Sequence, residues 1–337
     1  MEMRGPLKGW NSWNTFGANI NDALIRESAE AVAKSGLKDA GYDYIVIDDC
    51  WSLKDRDADG RLVADPALFP HGMKDLADYI HSLGFKFGMY SCVGTKTCAG
   101  YPGSFGHEFQ DAQTFADWGV DDTAKWIRST GADMWRSTGD IVDSWASVKS
   151  LFGQQRDILP YGGPGCYNDM DMLIVGMNGK GNVGINGCTL EEYRTHFTLW
   201  AFLSSPLMLG CDVRTMEDPI RDMLTNREVL AIHADAKCQP FPATKYMWGD
   251  DTLAWAKQLS DGGYALLYAN MTDNAQLINT NWWDLGLPPA SGFAFAVRDV
   301  WAGEDLGVFE ADCPLSVKPH ECRLLRLSIV PNKGAKA

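Results

Sequence analysis

No run of 18 consecutive apolar residues occurs in this sequence, so nothing in it reads as a membrane-spanning helix. Positive charge is in deficit. Thirty Lys and Arg face 44 Asp and Glu, for a formal net charge of −14. That argues against nucleic acid and anionic membranes as partners, because both select basic patches. Histidine is scarce, with residues at 71, 81, 107, 196, 233 and 320 and no paired ligand spacing. The nine cysteines are scattered and form no CxxC pair, which removes zinc knuckles and thioredoxin-type motifs. Neither a GxSxG elbow nor a GxxxxGK[ST] loop is present, so esterase and phosphate-loop NTPase readings lose support. No metal and no cofactor are therefore expected. The stretch from Met1 to Lys8 has no apolar signal core. The default expectation is a cytoplasmic protein, or a secreted or periplasmic one if a signal has been removed.

What the sequence does contain is core-forming material and tryptophan. With 337 residues, 45% of them hydrophobic, the chain suits a barrel plus a smaller module. Its 13 Trp fill cores first, and sugar-stacking platforms are the second use. From Gly9 to about Cys211 one unit repeats: a helix-period stretch, then an apolar strand, then polar or acidic residues. Ile25, Ala29 and Val32 share a helical face, with Gly36 as a stop. Tyr44-Ile45-Val46-Ile47 reads as a doubly buried parallel strand ending at Asp48-Asp49. Leu76, Ile80 and Leu83 followed by Phe85–Tyr90 repeat the unit. Further strands are predicted at Ala132–Trp135, Met172–Val175 and Pro206–Leu209. Polar strand ends predict an α/β fold, a (β/α)8 TIM barrel with its site on the C-terminal face. After about Asp235 the pattern becomes short strands separated by turns, at 252–257, 264–270, 293–301, 315–317 and 322–327. These predict an antiparallel β-sandwich domain. The domain division is a barrel over 1–238, with a break near 121–122, and a sandwich over 239–331.

Three strand-end groups carry candidate chemistry. Asp48-Asp49 are adjacent carboxylates that repel each other, so their cost calls for compensation. They serve either as acceptors for sugar hydroxyls or as a turn or cap. Arg136-Ser137-Thr138-Gly139-Asp140 offers either a plain ion pair or an acid beside a hydroxyl ligand. Glycosidic cleavage needs two carboxylates flanking the scissile bond, which makes Asp140 a candidate general acid. Asn168-Asp169-Met170-Asp171-Met172 spaces two acids i,i+2, with no His nearby to complete a metal site.

Taken in order, these segments resemble glycoside hydrolase family 27, the α-galactosidases and α-N-acetylgalactosaminidases. The resemblance rests on GWNSWNTFG (Gly9–Gly17), GYDYIVIDDCW (Gly41–Trp51), LGFKFGMYS (Leu83–Ser91) and TKTCAGYPGS (Thr95–Ser104). It continues through WRSTGDI (Trp135–Ile141), NDMDML (Asn168–Leu173), LWAFLSSPLMLGCDVR (Leu199–Arg214) and a closing PHECRLLRL. It implies a retaining exo-α-galactosidase acting by double displacement on galactose-containing saccharides, with α-N-acetylgalactosaminidase as the alternative. It also implies the roles. Trp13 packs its indole on the sugar, and Asp48 and Asp49 bind the O6 and O4 hydroxyls. Tyr90 and Cys98 form pocket wall, and Arg136 lies near O2 and O3. Asp140 is the acid/base, and Asp171 and Met172 line floor and rim.

The sequence departs from this pattern at Trp118-Gly119-Val120-Asp121. There the family continues through an apolar pair into Lys-Tyr-Asp and Cys. That Asp is the nucleophile, the Lys binds O3 and O4, and the Cys bonds at the position of Cys98. Here Asp121 is followed at once by Asp122-Thr123-Ala124-Lys125-Trp126, which is similar to the helix after the family's fifth strand. Spacing agrees. The markers at 13, 49, 90, 140, 172 and 211 step by 32 to 41 residues, but 90 to 140 is 50 residues where three units are due. Eight strands at this spacing leave a deficit on the order of 50 to 60 residues. Asp121 falls at the start of the fourth strand and is expected at the wrong end of the barrel to replace the nucleophile. Two functions are therefore carried forward: a hydrolase, and a galactose-binding chain without turnover. A different, metal-dependent barrel hydrolase is the third possibility.

Overall fold

The computed structural model describes residues 5–121, 134–155, 158–244 and 251–332. The barrel part contains β1 (Lys8–Asn11), α1 (Trp13–Phe16), α2 (Asp22–Lys34), β2 (Tyr44–Ile47), α3 (Gly72–Ser82), β3 (Lys86–Met89) and α4 (Glu108–Trp118). It continues with β4 (Met134–Arg136), β5 (Asp143–Ser144), α5 (Trp145–Gln155), β6 (Tyr167–Asp169), β7 (Gly184–Gly187), α6 (Leu190–Phe202), β8 (Leu207–Leu209), α7 (Asp218–Leu224) and α8 (Arg227–His233). The sandwich part contains β9 (Pro240–Pro242), β10 (Thr252–Gln258), β11 (Tyr264–Asn270), β12 (Gln276–Ile278), β13 (Phe293–Asp299), β14 (Glu304–Phe309), β15 (Leu315–Val317) and β16 (Cys322–Pro331).

Local chemistry explains these elements. In α2 the Asn21 side chain caps Leu24 N at 2.9 Å, and Ile25, Ala29 and Val32 are fully buried on one face. A capping box of Thr189 and Glu192 starts α6. β2 buries Tyr44, Ile45 and Ile47, as a parallel strand covered on both faces must. Gly9 is required beside it, since a Cβ there would lie 2.5 Å from Tyr44 O.

The wall strands run parallel in the order β3-β2-β1-β8. A parallel bridge from Leu173 to Leu209 leads on to the parallel pair β6–β4. Among the described residues six wall positions of a TIM barrel are thus filled, and none fills the fourth or fifth. At the outer edge of β3, Asp121 N donates to Phe87 O at 2.9 Å, and the described chain resumes at Met134. One expectation is corrected. Met172–Val175 is buried but is not a strand; the strand is Tyr167–Asp169, and only Leu173 bridges onward. The reason is a turn at Asp171, whose φ is +74°.

The sandwich is a six-stranded antiparallel sheet, β14-β13-β16-β11-β10-β9, with a β12–β15 pair over one face. Along β10, Leu253 and Trp255 point to the barrel while Ala254 and Ala256 point inward, as the period of two requires. β11 does the same with Leu267 against Leu266 and Tyr268. The sheet is covered on both faces, and the barrel provides one of the covers. Among the described residues no helix is long and apolar enough to cross a membrane.

Candidate active site

The parallel strands deliver their polar ends to one mouth. The register of β1 against β2 pairs Asn11 with Val46, so Asn11 and Ser12 flank Asp48. Asn11 Nδ2 donates to Asp48 Oδ2 at 2.8 Å, and Asp48 N donates to Ser12 Oγ at 3.0 Å. Asp49 N donates to Asp48 Oδ1 at 2.8 Å, while Cys50 N and Ala99 N donate to the Asp49 carboxylate. The compensation that two adjacent acids call for is therefore a set of backbone and amide donors. Burial pushes the Asp48 carboxyl up, the donors from Asp49 and Asn11 hold it down, and the nearby Asp49 and Asp171 charges raise it further. Asn11 and Ser12 were not foreseen as partners. Their signal was the GWNSWN segment itself, but the contact depends on strand register.

Asp171 faces this pair across the mouth. Its Oδ2 accepts from Ile141 N at 2.7 Å and pairs with Arg136 Nη2 at 2.8 Å. The same Arg136 nitrogen meets Asp140 Oδ1 at 2.7 Å. The Arg136–Asp140 ion pair is therefore present, and it lies at a strand end beside the carboxylates. The Asp140 side chain is 96% exposed, so no wall encloses it. Asp171 is itself raised by burial, with Arg136 and Ile141 N opposing.

The remaining predicted residues lie in the segments that follow these strands. Trp13 is half-buried, and its backbone N donates to Asn11 Oδ1 at 2.8 Å. Tyr90 follows β3, its carbonyl accepting from Trp51 Nε1 at 3.0 Å and its hydroxyl 3.9 Å from Cys98 Sγ. Burial, then contact with Cys98, raises the Tyr90 phenol. Cys98 is exposed and unbonded, and all nine cysteines are free thiols. Met172 is buried beside Asp171. Among the described residues no group of three or more His, Cys, Asp or Glu has the arrangement to hold a metal.

Asp121 lies elsewhere. Phe87 N donates to its Oδ2 at 2.8 Å, and His81 Nε2 meets the same oxygen at 2.7 Å. Phe87 is three residues before Tyr90, roughly 10 Å toward the entry end of β3 at about 3.3 Å per residue. Its carboxylate is occupied there, away from the mouth. Asp122 to Trp126, on the far side of the junction, lie outside the described residues.

Comparison with known proteins places this geometry. The profile of the family described as Alpha galactosidase A matches residues 6–129 and 122–235. That described as Alpha galactosidase C-terminal beta sandwich domain matches residues 249–327. The two barrel matches share 122–129, so the family pattern is entered from both sides of the junction. The Alpha-galactosidase of Cyamopsis tetragonoloba is 37% identical over 366 positions, covering 96% of this chain and 86% of that protein. Since 96% of 337 residues is about 324, roughly 40 aligned positions have no residue here. The crystal structure of alpha-galactosidase I from Mortierella vinacea matches with a TM-score of 0.85 and 32% identity, covering 96% of each chain. The α-galactosidase from Saccharomyces cerevisiae solved with raffinose matches with a TM-score of 0.86 and 25% identity, covering 97% of this chain and 98% of that one.

Proposed function

The chain belongs to glycoside hydrolase family 27, the α-galactosidase family, and on that premise we propose that its strand-end site takes a terminal α-D-galactosyl residue of an oligosaccharide or glycoconjugate. The observation that carries the reading is the Asp48–Asp49 pair, held by Asn11, Ser12, Cys50 and Ala99 opposite Asp171 and Arg136. Asp48 and Asp49 accept from O6 and O4, and the axial O4 selects galacto over gluco sugars. Arg136 donates toward O2 and O3. Trp13 offers its ring face, Tyr90 and Cys98 form wall, and Asp171 and Met172 form floor and rim. Raffinose, the sugar in the yeast relative's structure, fits this class. We assign residues 1–238 to the barrel module and 239–331 to the sandwich.

In the family's double displacement Asp140 protonates the leaving oxygen and later activates water. A second carboxylate must attack C1 from the opposite face, with the two carboxyls about 5 Å apart. Among the described residues no mouth carboxylate is free for that step. Asp48, Asp49 and Asp171 are committed to hydroxyl recognition, and Asp121 is tied to Phe87 and His81. The second reading, galactose binding without turnover, is favoured for a chain that runs continuously from Val120 to Thr123. Hydrolysis then requires the stretch its relatives carry at that point. N-acetylgalactosamine is the alternative sugar, since the O2-facing loop belongs to the same stretch.

The test has three parts. Galactose raises the melting temperature more than glucose does. No p-nitrophenol is released from p-nitrophenyl α-galactoside. A tryptic peptide reads without interruption from Thr97 to Lys125, in a protein of 37.2 kDa. Absence of the galactose shift sinks the clamp. Turnover by a protein of that mass sinks the loss of catalysis, and a heavier protein with turnover restores the hydrolase.

A further inference from the structure

Asp169 has no role in the sugar clamp described above, yet it sits under it. It ends β6 and pairs in register with Arg136 of β4. Its backbone carbonyl accepts from Ser137 N at 2.8 Å and from Ser137 Oγ at 2.9 Å, which fixes the exit of β4. Its side chain does something separate. Oδ1 accepts from Asp171 N at 2.9 Å, the i,i+2 contact of an Asx turn.

That turn matters because Asp171 has a φ of +74°. A residue with a Cβ adopts the left-handed region at a conformational cost and needs its surroundings to hold it there. The consequences of holding it run outward. Asp171 O accepts from Trp200 Nε1 at 2.8 Å. Asp171 Oδ2 receives Ile141 N and Arg136 Nη2. Through Ile141 it fixes the loop that carries Asp140, and through Arg136 it fixes the guanidinium. Had Asp171 adopted an extended conformation, as the apolar run after it suggested, its carboxylate would point along a strand and reach neither.

We propose that Asp169 is a positioning residue for the sugar site, acting through Asp171 by holding it in the left-handed turn that aims its carboxylate at Arg136 and Ile141. The proposal rests on the sugar-clamp reading but has its own measurable part. The required property of Asp169 is one acceptor oxygen at Oδ1, and its charge is not required. Asn keeps that acceptor and Ala removes it.

The experiment compares the full chain with Asp169→Asn and Asp169→Ala by amide hydrogen exchange and by titration with D-galactose. In Asp169→Ala the Asp171 amide exchanges about tenfold faster or more, and galactose affinity falls about tenfold, the scale of one lost hydrogen bond. In Asp169→Asn both stay within about threefold of the parent, which is rescue by the conservative variant. If Asp169→Ala fails to fold, Asp169→Asn still decides. Loss of protection at Asp171 in that variant overturns the proposal, because its acceptor is intact. Unchanged exchange in Asp169→Ala overturns it too, as does faster exchange with undiminished galactose affinity. If the parent chain does not bind galactose, the clamp reading fails instead, and the exchange arm alone decides whether Asp169 sets Asp171.

Discussion

Lys257 is fully buried where β10 meets the barrel, and among the described residues no carboxylate forms an ion pair with it. Its ammonium donates to Ile232 O at 2.6 Å, at the end of α8, and to Ser204 Oγ at 3.1 Å. Burial lowers its pKa from 10.5 to about 8. The sign of the linkage follows. Between about 8 and 10.5 the unfolded chain binds this proton and the folded chain does not, so stability rises with pH across that window. Below 8 both states are protonated and the buried charge exerts its full cost. At about 1.36 kcal/mol per pH unit, the gain from pH 8 to 9.5 is about 2 kcal/mol. Lys257→Met removes the titration. It also orphans Ile232 O, at about 1–3 kcal/mol, but that loss does not depend on pH. The assay is urea unfolding of both proteins from pH 7 to 9.5. Buried tyrosines such as Tyr42 and Tyr268, raised by burial, tilt both curves alike and cancel in the difference. The parent should gain about 2 kcal/mol on the variant over this range. Parallel curves would refute the claim that this amine is desolvated in the folded state.

Three further outcomes are expected. Asp48→Asn should lower galactose affinity about tenfold or more, since the new amide sets a donor against Asn11 Nδ2 or Asp49 N and removes an acceptor from the clamp; titration with D-galactose reads it. Iodoacetamide should alkylate exposed Cys98 in the native protein and leave Cys322 untouched until unfolding, since burial pushes that thiol up to about 12; peptide mass mapping checks it. His320→Ala should cost about 1–3 kcal/mol in urea unfolding, because the ring meets Glu192 and Asp273 and stacks on Trp145 at 4.9 Å, joining sandwich to barrel.

The limits of reading the sequence lie in particular residues. Tyr44–Ile47 was legible to the residue because a short apolar run between a helix pattern and two acids has few other solutions. Met172–Val175 carried the same signal and failed. Those four residues are buried as a strand's would be, but the Asx turn at Asp169 and the left-handed Asp171 had already ended the strand. Periodicity reports burial and cannot report where a turn falls inside a buried run. The strand-end acids were legible because charge directly after an apolar strand is conspicuous. Their partners were not. Asn11 reaches Asp48 across 36 positions, and only the β1–β2 register makes that meeting. Among the tryptophans, Trp10, Trp200 and Trp282 are buried in cores, while Trp13 after β1 is half-buried.

The wall strands of the described residues have a mechanical consequence. Asp48, Asp49 and Trp13 stand on the β3-β2-β1-β8 arm, whereas Arg136 and Asp171 stand on the β4–β6 arm. In a closed barrel two wall routes join such arms, and among the described residues none provides the route through the fourth and fifth strands. Among the contacts that join the arms are the Leu173–Leu209 bridge, the Trp200 bond to Asp171 O, and a rim contact in which Asn182 N donates to Thr15 O and Val183 N to Asn14 O, each at 3.0 Å. The rim contact should therefore carry more of the site's rigidity than it does in a complete barrel. Gly181 tests this. Its φ is +84°, and a Cβ there would lie 2.7 Å from Thr15 Cα, a backbone atom that cannot swing aside. Gly36 has a φ of +86° and nothing within 4 Å. Gly36→Ala incurs the backbone strain alone, roughly 1 kcal/mol, while Gly181→Ala adds a clash worth about 1–3 kcal/mol. Gly181→Ala should weaken galactose binding severalfold, and Gly36→Ala should leave it unchanged at comparable strain. If the two variants bind galactose equally well, the arms are held together by the Leu173 bridge and the core alone, and the rim loop has no part in shaping the site.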